Sequence, residues 1–83
     1  MTRLTRVSSH MVYAVGYDRE SRALEVVFQT GHIYRYEDVP YRVYRALLRA
    51  ESKGTFMKAE VIGAYTETRI STGRRRVPKR TDA

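Results

Sequence analysis

The sequence predicts an α+β fold, in which a three-stranded antiparallel β-meander packs against two short C-terminal helices. Segments before residue 37 are rich in β-forming residues and alternate apolar with polar positions, whereas later segments repeat apolar residues at helical spacing. Polar turns, several of which contain glycine, separate these segments. With 83 residues, the chain is long enough for one small hydrophobic core and therefore for one domain.

Three segments are predicted as strands. Residues 11–17 are rich in β-forming residues and end at a polar turn. In residues 23–29, Leu24, Val26 and Phe28 alternate with the other four positions, which is the period of two expected for a strand with one buried face. Residues 32–36 form the third strand. A fourth strand, over residues 64–70, could extend the sheet at an edge.

The connection over residues 29–31 determines which way two tyrosines point. A two-residue type I′ loop would place Thr30 at a positive φ angle, which a β-branched residue resists. A three-residue loop requires this conformation only of Gly31, so we predict the three-residue loop. In the resulting register, Tyr34 and Tyr36 both lie on the buried face of the sheet.

Two helices are predicted after the third strand. The first runs from residue 39 to 51, with Asp38 as its capping residue and Pro40 in its first turn. Its apolar residues fall on one side of the helix. A narrow stripe opposite them, here called the basic helix stripe, consists of Arg42, Arg45 and Arg49. The second helix spans residues 55–62 and ends near Gly63.

Positive charge dominates the composition and is concentrated near the C-terminal end. The sequence has 16 Lys and Arg against 9 Asp and Glu, a formal net charge of +7. Residues 71–83 contain almost no large apolar side chains, so we expect a flexible basic tail after a single domain of residues 1–70. The cationic residues of the tail are Arg74, Arg75, Arg76, Lys79 and Arg80. Such an excess favours a polyanionic partner, most commonly nucleic acid.

Several kinds of function find no support in the sequence. The absence of cysteine excludes a disulfide-stabilised scaffold, a thiolate metal site and a cysteine nucleophile. His10 and His32 lack a spaced set of carboxylates, so we expect no metal and no other cofactor. Ser8 and Ser9 precede His10 without an acid to orient it, and we therefore expect no enzyme activity. No segment approaches the roughly 20 apolar residues of a membrane span, so we expect a cytoplasmic protein with no membrane partner.

Four stretches between residues 8 and 65 resemble the KTSC domain family. This family takes its name from the C-terminus of some lysyl-tRNA synthetases and also includes small bacterial and phage proteins. The stretches are Val15-Gly-Tyr-Asp18, Leu24-Glu-Val-Val-Phe28 leading through Gly31 to Tyr34-Arg-Tyr36, Val39-Pro40 with Tyr44, and Ser52-Lys-Gly54 with Phe56 and Tyr65. The sequence departs from the family at Lys58, where asparagine is usual. The resemblance implies a suggested role in RNA binding.

We expect a small non-catalytic module that binds nucleic acid, RNA ahead of DNA. Arg45 and Arg49 are spaced four residues apart, as are Arg49 and Lys53, and such like-charge pairs destabilise a helix by a few tenths of a kcal/mol each. Bound phosphates would relieve that repulsion. The residues predicted to bind phosphates are Arg42, Arg45, Arg49, Lys53 and Lys58, together with the five cationic residues of the tail.

Alternatives to this function remain open. The basic helix stripe could be a solvated surface that binds nothing, since arginine favours helices and its stem covers apolar surface. The chain could also be a phage- or bacterial-type adaptor that binds an acidic surface of a partner protein, because Arg and Tyr are enriched at protein interfaces. We expect Tyr34 and Tyr36 in the core, so that stacking on bases would fall to Tyr13, Tyr17 or Tyr41.

Overall fold

The computed structural model describes residues 4–71, which form a five-stranded antiparallel sheet with helical segments against one of its faces. The strands lie in sequence order within the sheet. They are β1 (Leu4–Arg6), β2 (Val12–Asp18), β3 (Ala23–Phe28), β4 (Ile33–Tyr36) and β5 (Glu67–Ser71). The helical segments are α1 (Tyr41–Arg49), α2 (Lys53–Phe56) and the π-helical turn Met57–Val61 that continues α2. The α+β class is therefore confirmed.

The predicted meander corresponds to β2, β3 and β4, and the sheet is larger than predicted. Strand β5 supplies the fourth strand at one edge, although it begins three residues later than predicted, at Glu67. Strand β1 at the other edge has no signal in the sequence, because its three residues are all exposed and show no apolar alternation. The helices lie between β4 and β5, as the possible fourth strand over residues 64–70 implied.

The β3–β4 connection has the predicted three-residue loop. Val26 lies opposite Tyr34, as that loop requires. Gly31 has a φ angle of +97°, whereas Thr30 avoids the left-handed region. The N–H of Gly31 donates to the carbonyl of Phe28 at 2.9 Å and closes the loop. The conformational freedom of one glycine therefore sets the register of the two strands.

The hydrophobic core lies between the sheet and the helical segments. Its fully buried side chains come from β2, β3, β4, α1 and the π-helical turn, and from the segment before α1. They are Val12, Val15, Leu24, Val26, Tyr36, Val39, Leu47, Met57 and Val61. Tyr36, at 1% exposure, is a core ring as predicted, but Tyr34 is only half-buried beside the core.

The prediction that Asp38 caps α1 is wrong. Asp38 has a left-handed φ angle of +54°, and α1 begins after Pro40 without a side-chain cap. Val39, between these residues, is fully buried, and its N–H donates to the carbonyl of Arg22 at 2.9 Å. This packing fixes the chain ahead of the helix, so α1 starts two residues later than predicted and ends at Arg49.

Helix α2 begins two residues earlier than predicted because Ser52 caps it. The Ser52 hydroxyl accepts a hydrogen bond from the N–H of Thr55 at 3.2 Å and lies 2.9 Å from the Thr55 hydroxyl. Gly63, with a φ angle of +88°, follows the π-helical turn where the helix was predicted to end. Of the predicted tail, only Ser71 belongs to the described residues, and it ends β5.

Substitutions in the β3–β4 loop test its conformation. Gly31→Ala should lower the free energy of unfolding by about 1 kcal/mol, because alanine resists a φ angle of +97°. Thr30→Asn should change it by less than about 0.5 kcal/mol, because residue 30 does not adopt the left-handed conformation that asparagine tolerates. Urea unfolding measures both values. A clear stabilisation by Thr30→Asn would indicate a type I′ loop instead.

Candidate nucleic-acid interface

Helix α1 presents a basic outer surface because its apolar residues pack against the sheet. Leu47 is fully buried in the core. Three further apolar residues are half-buried against the core: Val43, Tyr44 and Leu48. The three arginines of the basic helix stripe are exposed on the opposite side of the helix. The predicted orientation of α1 is therefore confirmed.

The arginines of the basic helix stripe have no acidic partner within the part of the chain that the structure describes. Both ion pairs among residues 4–71 belong to Arg35, which contacts Glu25 at 3.4 Å and Glu37 at 3.0 Å. Arg35 lies between Tyr34 and Tyr36 in β4, so it faces away from the helices. Uncompensated guanidinium groups along one helix face repel one another, and an anion bound across them would reduce that repulsion.

An open groove of about 400 Å³ follows the basic helix stripe. Tyr41 and Ala46 line it together with the three arginines. The guanidinium carbon of Arg45 lies 5.9 Å from the centre of the Tyr41 ring, and that of Arg19 lies 4.4 Å from it. The Tyr41 ring therefore has cations beside it from two separate elements of the fold, α1 and the turn that contains Arg19.

The turn between β2 and β3 places Arg19 beside α1. A carboxylate oxygen of Asp18 accepts a hydrogen bond from the N–H of Glu20 at 3.0 Å, and this bond lowers the pKa of Asp18 below its usual value. Arg19 was not among the residues predicted to bind phosphates. A turn residue has no periodicity that relates it to a distant helix, so only the tertiary structure reveals the contact.

An aromatic cluster holds the first turn of α1 on the sheet. The rings of Tyr17 and Tyr44 stack with their centres 5.3 Å apart, and the ring of Tyr41 lies 5.4 Å from that of Tyr17. The Tyr17 hydroxyl donates a hydrogen bond to the carbonyl of Val39. Tyr41 is half-buried in this cluster, so its position beside the arginines is fixed.

The remaining predicted residues occupy different surroundings. The ammonium group of Lys53 donates a hydrogen bond to the carbonyl of Ala50 at 2.7 Å, so Lys53 satisfies a backbone group at the end of α1. Lys58 is exposed on the π-helical turn. The tail residues Arg74, Arg75, Arg76, Lys79 and Arg80 lie outside the described residues.

Of the residues considered for catalysis, Ser9 has a structural role. The Ser9 hydroxyl accepts hydrogen bonds from the N–H groups of Met11 and Val12, both at 3.1 Å, and shapes the approach to β2. Within residues 4–71, no three His, Asp or Glu side chains are grouped so that they could hold a metal ion. In the same range, none of the helices has the length and apolar character needed to cross a membrane.

The sheet and helices together define a small α+β domain with a basic helical surface. A family model, the KTSC domain, matches residues 8–65, and the chain belongs to that family. The crystal structure of a KTSC domain protein from Yersinia pestis superposes with a TM-score of 0.83 at 31% sequence identity. This match covers 86% of the present chain and 100% of the Yersinia chain.

Two sequence relatives extend the comparison. An uncharacterized protein of Stutzerimonas stutzeri is 48% identical over 48 residues, which are 58% of this chain and 68% of that protein. A protein of Tsukamurella paurometabola is 40% identical over 55 residues, which are 66% of this chain and 82% of that protein. The fold and family are thereby shown, whereas the function has to be inferred from this chain's own surfaces.

The buried Tyr36 should make stability depend on pH in alkaline solution. Burial raises the pKa of its hydroxyl above the usual 10.0, and the neighbouring Glu67 carboxylate raises it further. The unfolded chain ionises Tyr36 near pH 10 while the folded chain keeps its proton, so this contribution to stability is complete below pH 10 and is lost as the pH rises.

Tyr36→Phe removes this dependence. Above about pH 10, the wild-type protein should lose about 1.4 kcal/mol of unfolding free energy per pH unit more than the variant. Urea unfolding of both proteins from about pH 8 to 11 measures the difference, and titration of the other tyrosines cancels in the comparison. Parallel stability curves for the two proteins would show that Tyr36 titrates normally in the fold.

Proposed function

We propose that this protein is a non-catalytic module that binds nucleic acid, RNA ahead of DNA, through the basic helix stripe and the C-terminal tail. The observation that carries the proposal is the row of three exposed guanidinium groups without a carboxylate partner among residues 4–71. Guanidinium groups match phosphate geometry and form paired hydrogen bonds with it. The net charge of +7 adds long-range attraction to a polyanion.

The spacing of the stripe suits a phosphate chain. The seven residue steps from Arg42 to Arg49 rise about 10 Å along the helix axis. Over this length the three guanidinium groups can contact neighbouring phosphates of one strand. Charge neutralisation of this kind gives affinity with few contacts to base edges, so we expect modest sequence discrimination.

Tyr41 favours a single-stranded ligand. Proteins that hold single strands combine a cationic groove with aromatic rings on which bases stack. Tyr41 lines the groove, and a base next to a bound phosphate could stack on its ring in place of the Arg19 guanidinium, which lies 4.4 Å from the ring centre. Unpaired bases occur mainly in RNA inside cells, which is why RNA is proposed ahead of DNA. A cytoplasmic location is part of the proposal, because a chain without cysteine needs no oxidising compartment.

The second candidate function is an adaptor that binds an acidic surface of a partner protein. It would use the same arginines. One observation favours it specifically: Leu4 and Ile70, at opposite edges of the sheet, are 43% and 45% exposed, and each would provide a separate apolar contact that a phosphate chain does not use. An affinity pull-down after nuclease treatment separates the two functions, because an adaptor keeps its partner when nucleic acid is removed.

Charge-matched variants test the role of the basic helix stripe. The double variant Arg45→Gln, Arg49→Gln should weaken binding of a labelled single-stranded RNA and reduce the slope of log affinity against log salt by about 1.4. The control double variant, Arg6→Gln with Arg22→Gln, removes the same charge from β1 and the β2–β3 turn and should leave the slope nearly unchanged. Fluorescence anisotropy at several salt concentrations measures both slopes.

The same assay separates the stripe from the tail. A full-length variant with Arg74, Arg75 and Arg76 replaced by glutamine should lose further affinity while keeping a salt-dependent component from the stripe. Salt-independent affinity in the wild-type protein would remove nucleic acid as the main partner. Equal losses in the stripe variant and its control would show that total charge, rather than the α1 surface, determines binding.

A further inference from the structure

A second cleft, of about 550 Å³, lies on the helix-covered side of the sheet, at the end where the β3–β4 loop turns. It is separate from the groove along α1 and shares no residue with it. Phe28, Tyr34 and Ile62 provide apolar walls, and Glu67 provides a carboxylate. Its volume falls in the range of about 300–1,000 Å³ that is typical of small-molecule sites.

We propose that this cleft binds one unstacked guanine base of the RNA. The inference rests on the proposed function and adds to it a base-specific pocket. The rings of Phe28 and Tyr34 meet edge to face with their centres 5.7 Å apart, and Tyr34 remains half-exposed. Partly exposed aromatic side chains are the usual stacking partners of unpaired RNA bases.

Polar side chains at the cleft include His10, Gln29, Thr30 and His32, but Glu67 is its carboxylate, and we assign the selection of the base to it. Glu67 lies opposite Tyr36 in the β4–β5 pair, and its carboxylate neighbours the Tyr36 hydroxyl. Because Glu67 is exposed and a carboxylate has several acceptor positions, the carboxylate remains accessible to a ligand. An ionised carboxylate only accepts hydrogen bonds, and its two oxygens accept best from two adjacent N–H donors. Guanine presents such a pair, N1–H and N2–H, on its Watson–Crick edge. Adenine and cytosine place an acceptor beside their amino group, and uracil has a single N–H donor between two carbonyls.

Free nucleosides test the cleft without a contribution from phosphate. In NMR titrations of the full-length protein, guanosine should shift the amide signals of Phe28, Tyr34 and Glu67 and should bind about tenfold more tightly than adenosine, cytidine or uridine. Glu67→Gln should reduce this preference to about twofold or less. The control Glu60→Gln removes an exposed carboxylate from the π-helical turn and should leave the preference intact. The amide spectrum of each variant reports that it is folded.

The outcomes distinguish the cleft from the proposed function. RNA binding that depends on the basic helix stripe, combined with no preference for guanosine, would overturn the cleft proposal alone. Guanosine binding in a protein that shows no salt-dependent RNA affinity would support the cleft and overturn the proposed function. Guanosine signals that shift only along α1, or a preference for guanosine that Glu67→Gln leaves unchanged, would also overturn the assignment of the base to this cleft.

Discussion

The register between β3 and β4 is the constraint on which the rest of the structure depends. Because Gly31 adopts the left-handed conformation, Tyr34 and Tyr36 face the helices, and Arg35 faces the other side of the sheet. A slip of one residue would exchange these faces and place Arg35 in the core. The tyrosine face receives Leu47 from α1, and the packing of that residue turns the basic helix stripe outward. The cleft beside Tyr34 results from the same alignment.

Charges are distributed differently on the two faces of the domain. On the face away from the helices, Arg35 has two acidic partners and serves the sheet itself. On α1, three arginines stand without such partners among the described residues, although isolated helices favour compensated charges. An arginine that serves only solubility or packing could equally well have acidic neighbours, so neither role explains why the α1 arginines have none among the described residues. The contrast between these two surfaces is the physical basis for proposing a phosphate-binding role for α1.

The sequence predicted what local periodicity and turn chemistry determine, and it failed where tertiary packing decides. The alternation of apolar residues in the strands, together with the resistance of Thr30 to a positive φ angle, predicted the β3–β4 register correctly. The helical spacing of apolar residues predicted that the basic helix stripe faces outward. Asp38 fails as a cap because burial of Val39 fixes the chain there. Strand β1 is too short and exposed to carry a pattern. Arg19 contacts α1, and Glu67 lies at the cleft, only because the fold brings distant segments together. No local sequence pattern can reveal such contacts.

The central claim is that the arginines of α1 contact phosphates directly. The most direct measurement follows the side-chain Nε–H signals of arginine by NMR while single-stranded RNA is added to the full-length protein. The signals of Arg42, Arg45 and Arg49 should shift together and reverse when salt is added, whereas those of Arg6 and Arg35 should stay in place. Unchanged stripe signals at RNA concentrations that saturate binding would contradict the account.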